Sequence, residues 1–242
     1  MSAAEHDKAA SAPPAAGPRV LMVEDDPVIR ETTALLLEQF GFAVEGAPDG
    51  QQGLDRFRAE PPDVALLDVM LPHIDGISLT RRIRELGPVP VVLMSARSDP
   101  LDVVAGLEAG ADDYVTKPFD GPVLAARLRA VLRRSGRSEG SGNRGGRARP
   151  LRFNDLEVDF EGMSARVAGV AVRLTATEAR LLAEFAANAG IVLARDTLLE
   201  RVWEYQWGGD TRLVDVHVQR LRAKIGAERI ETVRGAGYKL VK

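Results

Sequence analysis

Short apolar runs and amphipathic stretches alternate through the first half of this 242-residue chain. The runs fall at residues 20–23, 42–44, 64–67, 89–94 and 113–116, each short enough for a strand and bounded by turn or charged residues. Between them apolar positions recur at helical spacing. Ile29, Thr33, Leu36 and Phe40 stand four, three and four apart, with Gly41 following as a C-cap. Leu101, Val104 and Leu107, and then Leu124, Leu128 and Val131, repeat that stripe. Beyond residue 150 the pattern changes: 151–153, 156–158, 165–167 and 171–173 read as short strands separated by turns. A helix then opens at Thr175, where Glu178 three residues on completes a capping box, and stops near 188–190. A second covers about 196–203. A third starts near Asp210 with Val214, Val218, Leu221 and Ile225 as its buried stripe, and 229–234 with 237–241 form a hairpin turned by Gly235, Ala236 and Gly237.

Five βα units in series predict a parallel sheet with helices on both faces, a flavodoxin-like (βα)5 α/β domain over 19–134. The second half predicts a smaller α+β domain over 151–242. Between them, 135–150 is dominated by Gly, Ser and Arg and reads as a flexible linker. Sixteen such residues span roughly 20 to 24 Å, which predicts loosely coupled domains. Residues 1–18 are rich in Ala and Pro, lack the layout of a signal peptide, and read as a disordered tail. The absence of cysteine excludes a disulfide framework and a thiolate metal site, and no apolar run approaches the roughly 18 residues of a membrane span. A cytoplasmic location without membrane contact fits both.

Candidate chemistry lies where the strands end. Glu24, Asp25 and Asp26 close the first run, Asp68 closes the third, and Lys117 and Pro118 follow the fifth. In an open parallel sheet those ends face one crevice, where ligands bind. Crowded carboxylates repel one another unless a cation or proton relieves them, and oxygen ligands beside a lysine suit Mg²⁺ and a phosphoryl group. The chemistry suggested is phosphorylation of an aspartate. Each element alone has an ordinary structural explanation; their joint placement at matched strand ends favours the functional one. His73 carries no assigned role.

Charge divides unevenly. Residues 19–134 carry 13 Lys/Arg against 19 Asp/Glu, whereas 135–242 carry 18 against 14. On the third helix of the second domain the stripe leaves Arg212, Val216, Gln219 and Arg220 on the opposite side. Arg220 there suits a guanine edge, Arg212, His217, Gln219 and Arg222 suit phosphates, and Arg234 at the hairpin tip suits a minor groove.

Residues 19–134 resemble the receiver domain of two-component response regulators. The resemblance implies Glu24 and Asp25 as the metal-binding acidic pair, Asp68 as phosphoacceptor and further Mg²⁺ ligand together with the Met70 carbonyl, Ser95 as the hydroxyl residue, Tyr114 as the switch aromatic, and Lys117, aimed by a cis peptide, as partner of the phosphoryl. Residues 151–242 resemble the winged-helix effector domain of OmpR/PhoB-type regulators, most clearly in 174–178, 195–203, 214–222 and 232–238. Two positions depart: Leu213 stands where some relatives place a polar base-contacting residue, and Ala194 where many place a capping Ser or Thr.

The resemblance implies a transcription factor that accepts a phosphoryl group from a sensor histidine kinase and takes part in its own phosphorylation and dephosphorylation without being an enzyme in the ordinary sense. Met70 and Arg97 beside the water's route predict slow dephosphorylation. It further implies dimerisation through the α4-β5-α5 faces, promoter DNA in direct repeats, and contact of the loop 204–209 with RNA polymerase. Asp113 with Arg127 and Glu108 with Arg129 would supply two charged pairs of the dimer, while Val103 and Val123 replace a third with an apolar contact. Two alternatives are disfavoured: a receiver that serves only as a dimerisation or ligand module, by the complete set of acids and lysine, and a stand-alone phosphotransfer shuttle, by the intact winged helix.

Overall fold

The computed structural model describes residues 17–96, 100–135, 151–159, 164–205 and 210–241. Arg97, most of the tail, the linker 136–150 and residues 206–209 lie outside them. The first five strands, β1 (Arg19–Val23), β2 (Ala43–Ala47), β3 (Val64–Asp68), β4 (Val91–Ser95) and β5 (Asp113–Thr116), form one parallel sheet in the order β2-β1-β3-β4-β5. The helices between and after them are α1 (Pro27–Gln39), α2 (Gly50–Ala59), α3 (Gly76–Leu86), α4 (Pro100–Glu108) and α5 (Gly121–Arg134).

Alternation along each strand assigns the helices to faces. Val20, Met22, Val64, Leu66, Val92 and Met94 point to one side, where Leu37 of α1 and Leu124, Leu128 and Val131 of α5 cover them. Leu21, Val23, Ala65 and Leu67 point to the other, beneath Leu54 of α2, Leu79 and Ile83 of α3, and Leu107 of α4. Because both faces are covered, the inner strands β3 and β4 are buried throughout and read as continuous apolar runs. Several details differ from the pattern reading, among them β2, which runs on to Ala47. β4 begins at Val91, since Pro90 has no N–H to give the ladder. On α1 the buried face is Thr33 and Leu37 with Leu36 and Phe40 beside it, and Ile29 stays at the surface.

The second unit opens with an antiparallel meander of β6 (Leu151–Phe153), β7 (Leu156–Asp159), β8 (Ser164–Val167) and β9 (Val170–Val172). Then follow α6 (Ala176–Ala187), whose Thr175–Glu178 capping box is formed, α7 (Arg195–Leu198) continuing as a π-helical turn to Trp203, and α8 (Arg212–Ile225). Ala194 caps α7 without a side-chain bond. The hairpin β10 (Ile230–Val233) and β11 (Gly237–Leu240) closes the winged helix. No helix among the described residues is long and apolar enough to cross a membrane.

The two units are not loosely coupled. α8 packs on α4 and α6 on α5, and residues of both units share one apolar cluster. The expectation of independence came from linker length alone, which bounds how far domains can separate but says nothing of how well their surfaces fit.

Candidate functional site

Parallel register carries four side chains to one edge of the sheet. Val23 pairs with Leu67, Asp68 with Met94 and Ser95 with Thr116, so Glu24, Asp68, Ser95 and Lys117 emerge at neighbouring strand ends. Ligand oxygens of Glu24, Asp25 and Asp68 all lie within 4.8 Å of one another. Lys117 Nζ stands 2.5 Å from Glu24 Oε2 and 3.1 Å from Asp68 Oδ2, and its peptide to Pro118 is cis. Glu24 and Asp68 are buried, at 1% and 6% exposure, whereas Asp25 sits at the open mouth with half-exposed Met70. Burial raises the Glu24 pKa; Lys117 opposes that and the Asp68 and Asp25 carboxylates add to it, leaving the group above its ordinary value. On Lys117 burial acts to lower the pKa and is outweighed by Glu24 and Asp68, so the ammonium holds its proton more tightly than usual. One cation thus faces three crowded carboxylates, and such an oxygen-rich, negatively charged crevice fits Mg²⁺.

The surrounding backbone explains why the crevice is so tight. At Gly76 an added Cβ would lie 2.0 Å from the Asp68 carbonyl, so only glycine lets α3 start this close to the acid. Asp26 is the N-cap of α1, accepting from Val28 N at 2.8 Å and Ile29 N at 3.0 Å, and takes no part in the cluster. Tyr114 is buried beside Ser95, to which its hydroxyl is hydrogen-bonded; burial raises its pKa. His73, in a left-handed conformation at φ 65°, faces Asp49 and Arg82 in a shallow cleft on another side of the loop.

The helix read as a DNA reader has three faces rather than two. At 100° per residue, Val214, Val218, Leu221 and Ile225 cluster on one side, and all are buried in the winged helix. About 120° around lie Leu213, Val216, His217 and Arg220. Leu213, Val216 and His217 are buried too, because the first unit covers them. Arg220 donates to the carbonyls of Leu107, at 3.1 Å, and Ala111, at 2.8 Å, and its other nitrogen lies 2.9 Å from Glu178. In this conformation Val216, His217 and Arg220, read from the sequence as DNA contacts, are turned away from solvent, Arg220 onto the carbonyls at the end of α4. Arg222 bonds the Ile230 carbonyl and Thr232 Oγ1, tying α8 to the wing. Arg212, Gln219 and Arg234 remain exposed.

Several of the residues read as a dimer surface are engaged in the same way. Asp113, fully buried, accepts the Tyr205 hydroxyl at 2.7 and 2.6 Å; Arg127 hydrogen-bonds that hydroxyl and lies 4.4 Å above the Tyr205 ring. Val103 lines a cleft of about 240 Å³ with Tyr114, Tyr205 and Leu213 and is only 5% exposed, while Val123 is 46% exposed. An apolar Val103–Val123 contact between copies is unavailable while the winged helix covers Val103. Glu108 is exposed beside Arg220 and Lys224, and Arg129 bonds the Phe40 carbonyl at 2.6 Å.

Sequence reasoning missed the buried charges behind this interface. Asp112, 1% exposed, accepts from Arg84 at 2.6 Å and Val91 N at 3.0 Å; burial would raise its pKa, but Arg84 and Arg220 bring it below the ordinary range. Trp203 donates to the Asp112 carbonyl at 3.2 Å, and Arg134, 2% exposed, lies 3.9 Å from Asp113. The usable signal was the doubled acid, Asp112 and Asp113, opening an otherwise apolar strand, since buried acids require cations nearby. Tyr205→Phe should leave Asp113 with the Tyr114 amide at 2.7 Å and the more distant guanidiniums at 3.6 and 3.9 Å. Losing a hydrogen bond to a buried carboxylate costs about 1–3 kcal/mol. Faster amide exchange in α4 and α8, with the core strands unchanged, is the expected measurement; unchanged α4 and α8 would show that the hydroxyl holds nothing.

A parallel sheet bearing an acidic crevice at its strand ends, joined to a winged helix with a basic reading helix, defines a two-domain response regulator. Residues 20–129 match the response regulator receiver domain, and 169–240 match the family described as transcriptional regulatory protein, C terminal. The chain belongs to the OmpR/PhoB-type response regulators of two-component systems. It is 66% identical to the transcriptional regulatory protein CseB of Streptomyces coelicolor over 229 residues, 91% of this chain and 97% of that protein. It is 42% identical to the DNA-binding response regulator MtrA of Mycobacterium tuberculosis, over 91% of this chain and 96% of that one. A solved structure of a RitR mutant covers 93% of this chain and 99% of its own, with 25% identity and a TM-score of 0.71. Such relatives regulate transcription rather than catalyse metabolic reactions, and the pairing of domains implies a histidine kinase and DNA as partners.

Proposed function

We propose that the protein is a phosphorylation-released DNA-binding switch. Asp68 attacks the phosphorus of a phosphohistidine on the kinase or of a small phosphodonor; the new O–P bond forms as the bond to the donor breaks. Lys117, charged and 3.1 Å from Asp68, pairs with the arriving phosphoryl. A bound Mg²⁺, held by Glu24, Asp25, Asp68 and the Met70 carbonyl, would neutralise charge on the transferring oxygens. Half-exposed Met70 at the mouth supports slow self-dephosphorylation; Arg97 lies outside the described residues.

The observation that carries the reading is the double use of one surface. Val103, Asp113 and Arg127 are the residues a receiver dimer would use, and Val216, His217 and Arg220 those that DNA would use; in the closed chain Tyr205 and Leu213 of the winged helix lie against the first set, while Val216 and His217 are buried and Arg220 bonds the receiver carbonyls of Leu107 and Ala111. Opening therefore frees both at once, so phosphorylation, dimerisation and binding to direct repeats become one event. Residues 204 and 205 of the segment read as facing RNA polymerase lie in the closed interface, and 206–209 lie outside the described residues; polymerase contact would follow opening as well.

The test measures retention of direct-repeat DNA with and without phosphodonor and Mg²⁺, for wild type and Arg220→Ala. The clasp reading expects Arg220→Ala to raise retention of nonspecific DNA without phosphodonor, while as a base reader the same change costs roughly 1 to 3 kcal/mol at the specific site after phosphorylation. Donor-independent wild-type binding at full strength would overturn the switch.

A further inference from the structure

The acidic pair does not hold its own shape. Where β1 ends, Glu24 N still donates to Ala47 O at 3.0 Å, but the carbonyls of Glu24 and Asp25 have passed beyond the ladder. Backbone acceptors away from regular structure need partners from elsewhere. Both are met by one side chain: Arg30 Nη1 donates to Glu24 O at 2.6 Å and to Asp25 O at 3.2 Å. Arg30 springs from the first turns of α1, so it ties the loop that carries the two carboxylates to a rigid element.

The neighbouring strand is shaped for that arm. At Gly46 on β2 an added Cβ would stand 3.2 Å from Arg30 Cδ and 3.3 Å from Cγ, closer than ordinary packing. The stem of Arg30 thus lies flat across the one residue of β2 that has no side chain, while Arg56 holds the Gly46 carbonyl from beyond.

We infer that Arg30 is the positioning residue of the metal pair: it fixes the carbonyls of Glu24 and Asp25 so that their carboxylates meet Asp68 before a divalent cation arrives. The inference rests on the reading of this crevice as a Mg²⁺ site. It makes a prediction opposite in sign to plain electrostatics. A guanidinium near a divalent cation repels it, so charge alone says that removing Arg30 tightens metal binding. Positioning says that removal weakens it, since outer partners of metal ligands typically contribute 10–100-fold in affinity.

The experiment is Mn²⁺ binding to the full chain followed by electron paramagnetic resonance, with displacement by Mg²⁺, for wild type, Arg30→Ala, Arg30→Gln and Gly46→Ala. Thermal melts accompany each. Arg30→Ala should weaken Mn²⁺ binding about tenfold. Arg30→Gln, which keeps a donor and loses the charge, should fall between it and wild type. Gly46→Ala, which displaces the arm and keeps the charge, should weaken binding as well, and it carries the test if Arg30→Ala does not fold. Unchanged or tighter binding in Arg30→Ala, or unchanged binding in a folded Gly46→Ala, overturns the positioning role. A wild-type chain that takes up no Mn²⁺ overturns the reading of the crevice instead, so the two failures are distinct.

Discussion

A chain carrying Asp68→Ala is expected to take up no phosphoryl group from a small phosphodonor in Mg²⁺, whereas the wild type takes up one. Three carboxylates share the crevice, and geometry ranks them. Glu24 is 1% exposed and held at 2.5 Å by Lys117, so its oxygens face inward to a cation already in place. Asp25 lies exposed at the mouth, away from the lysine that holds Glu24. Asp68 alone ends a central strand and stands near enough to Lys117, at 3.1 Å, for a cation to follow the phosphoryl onto it. Nucleophilic loss at that position has no substitute, and because removing one of three crowded acids relieves repulsion, the variant should melt no lower than wild type. Mass spectrometry of the intact chain reads both the stoichiometry and the site. Stoichiometric label on Asp68→Ala would move the acceptor to another residue.

Acidification alone should open the closed chain. His217 is fully buried between Trp203, whose ring centre lies 5.0 Å away, and Arg220, whose Nη1 is 3.5 Å from Nε2; both of those side chains reach the receiver. Burial, aided by Arg220 and opposed by Asp112 and Glu178, lowers its pKa from 6.5 to about 3. Arg84 and Lys224 complete the charged groups facing this pocket through Asp112 and Glu178. Opening returns the imidazole to water and to its ordinary value. A base with a depressed pKa in the closed state binds fewer protons there, so closure is fully stable above about pH 6.5 and loses about 1.4 kcal/mol per pH unit below it. From pH 7.5 to 5.5 the open population should rise roughly tenfold. Asp112 and Glu178 do not titrate in that window, since their pKa values are lowered, and Tyr205 is held well above 10. Small-angle scattering with circular dichroism is the check: expansion at constant helicity in wild type, and no expansion in His217→Leu. Loss of helicity together with expansion would place the histidine in the core of the winged helix rather than at the joint.

Much of the fold was legible because period and burial agree. Continuous apolar runs of strand length, alternating with helical stripes, announce a parallel sheet covered on both faces, and the Thr175–Glu178 box is a local signal that needs no tertiary context. The crevice was legible for a related reason: parallel strands bring their ends together whatever the loops do, so chain positions far apart could be placed side by side. The joint between domains was not. A helix stripe records only apolar contacts, and α8 buries its second face through Leu213, Val216, His217 and Arg220, two of them polar, which reads as a solvated side. Asp26 shows the converse limit, for an acid among acids turned out to be a cap.

The three-faced α8 also restricts how such a regulator can change its target. Retuning Val216, His217 or Arg220 for a new operator alters the surface that α4 grips in the closed chain, so altered recognition and a leaking off-state come as a pair. Arg212 and Gln219 carry no such constraint, being exposed in the closed form. As the expected phosphate contacts, those two positions should tune DNA affinity without changing preference, whereas a change on the clasped face needs a matching change around Leu107, Ala111 or Asp112 to keep silence when no phosphoryl group is bound.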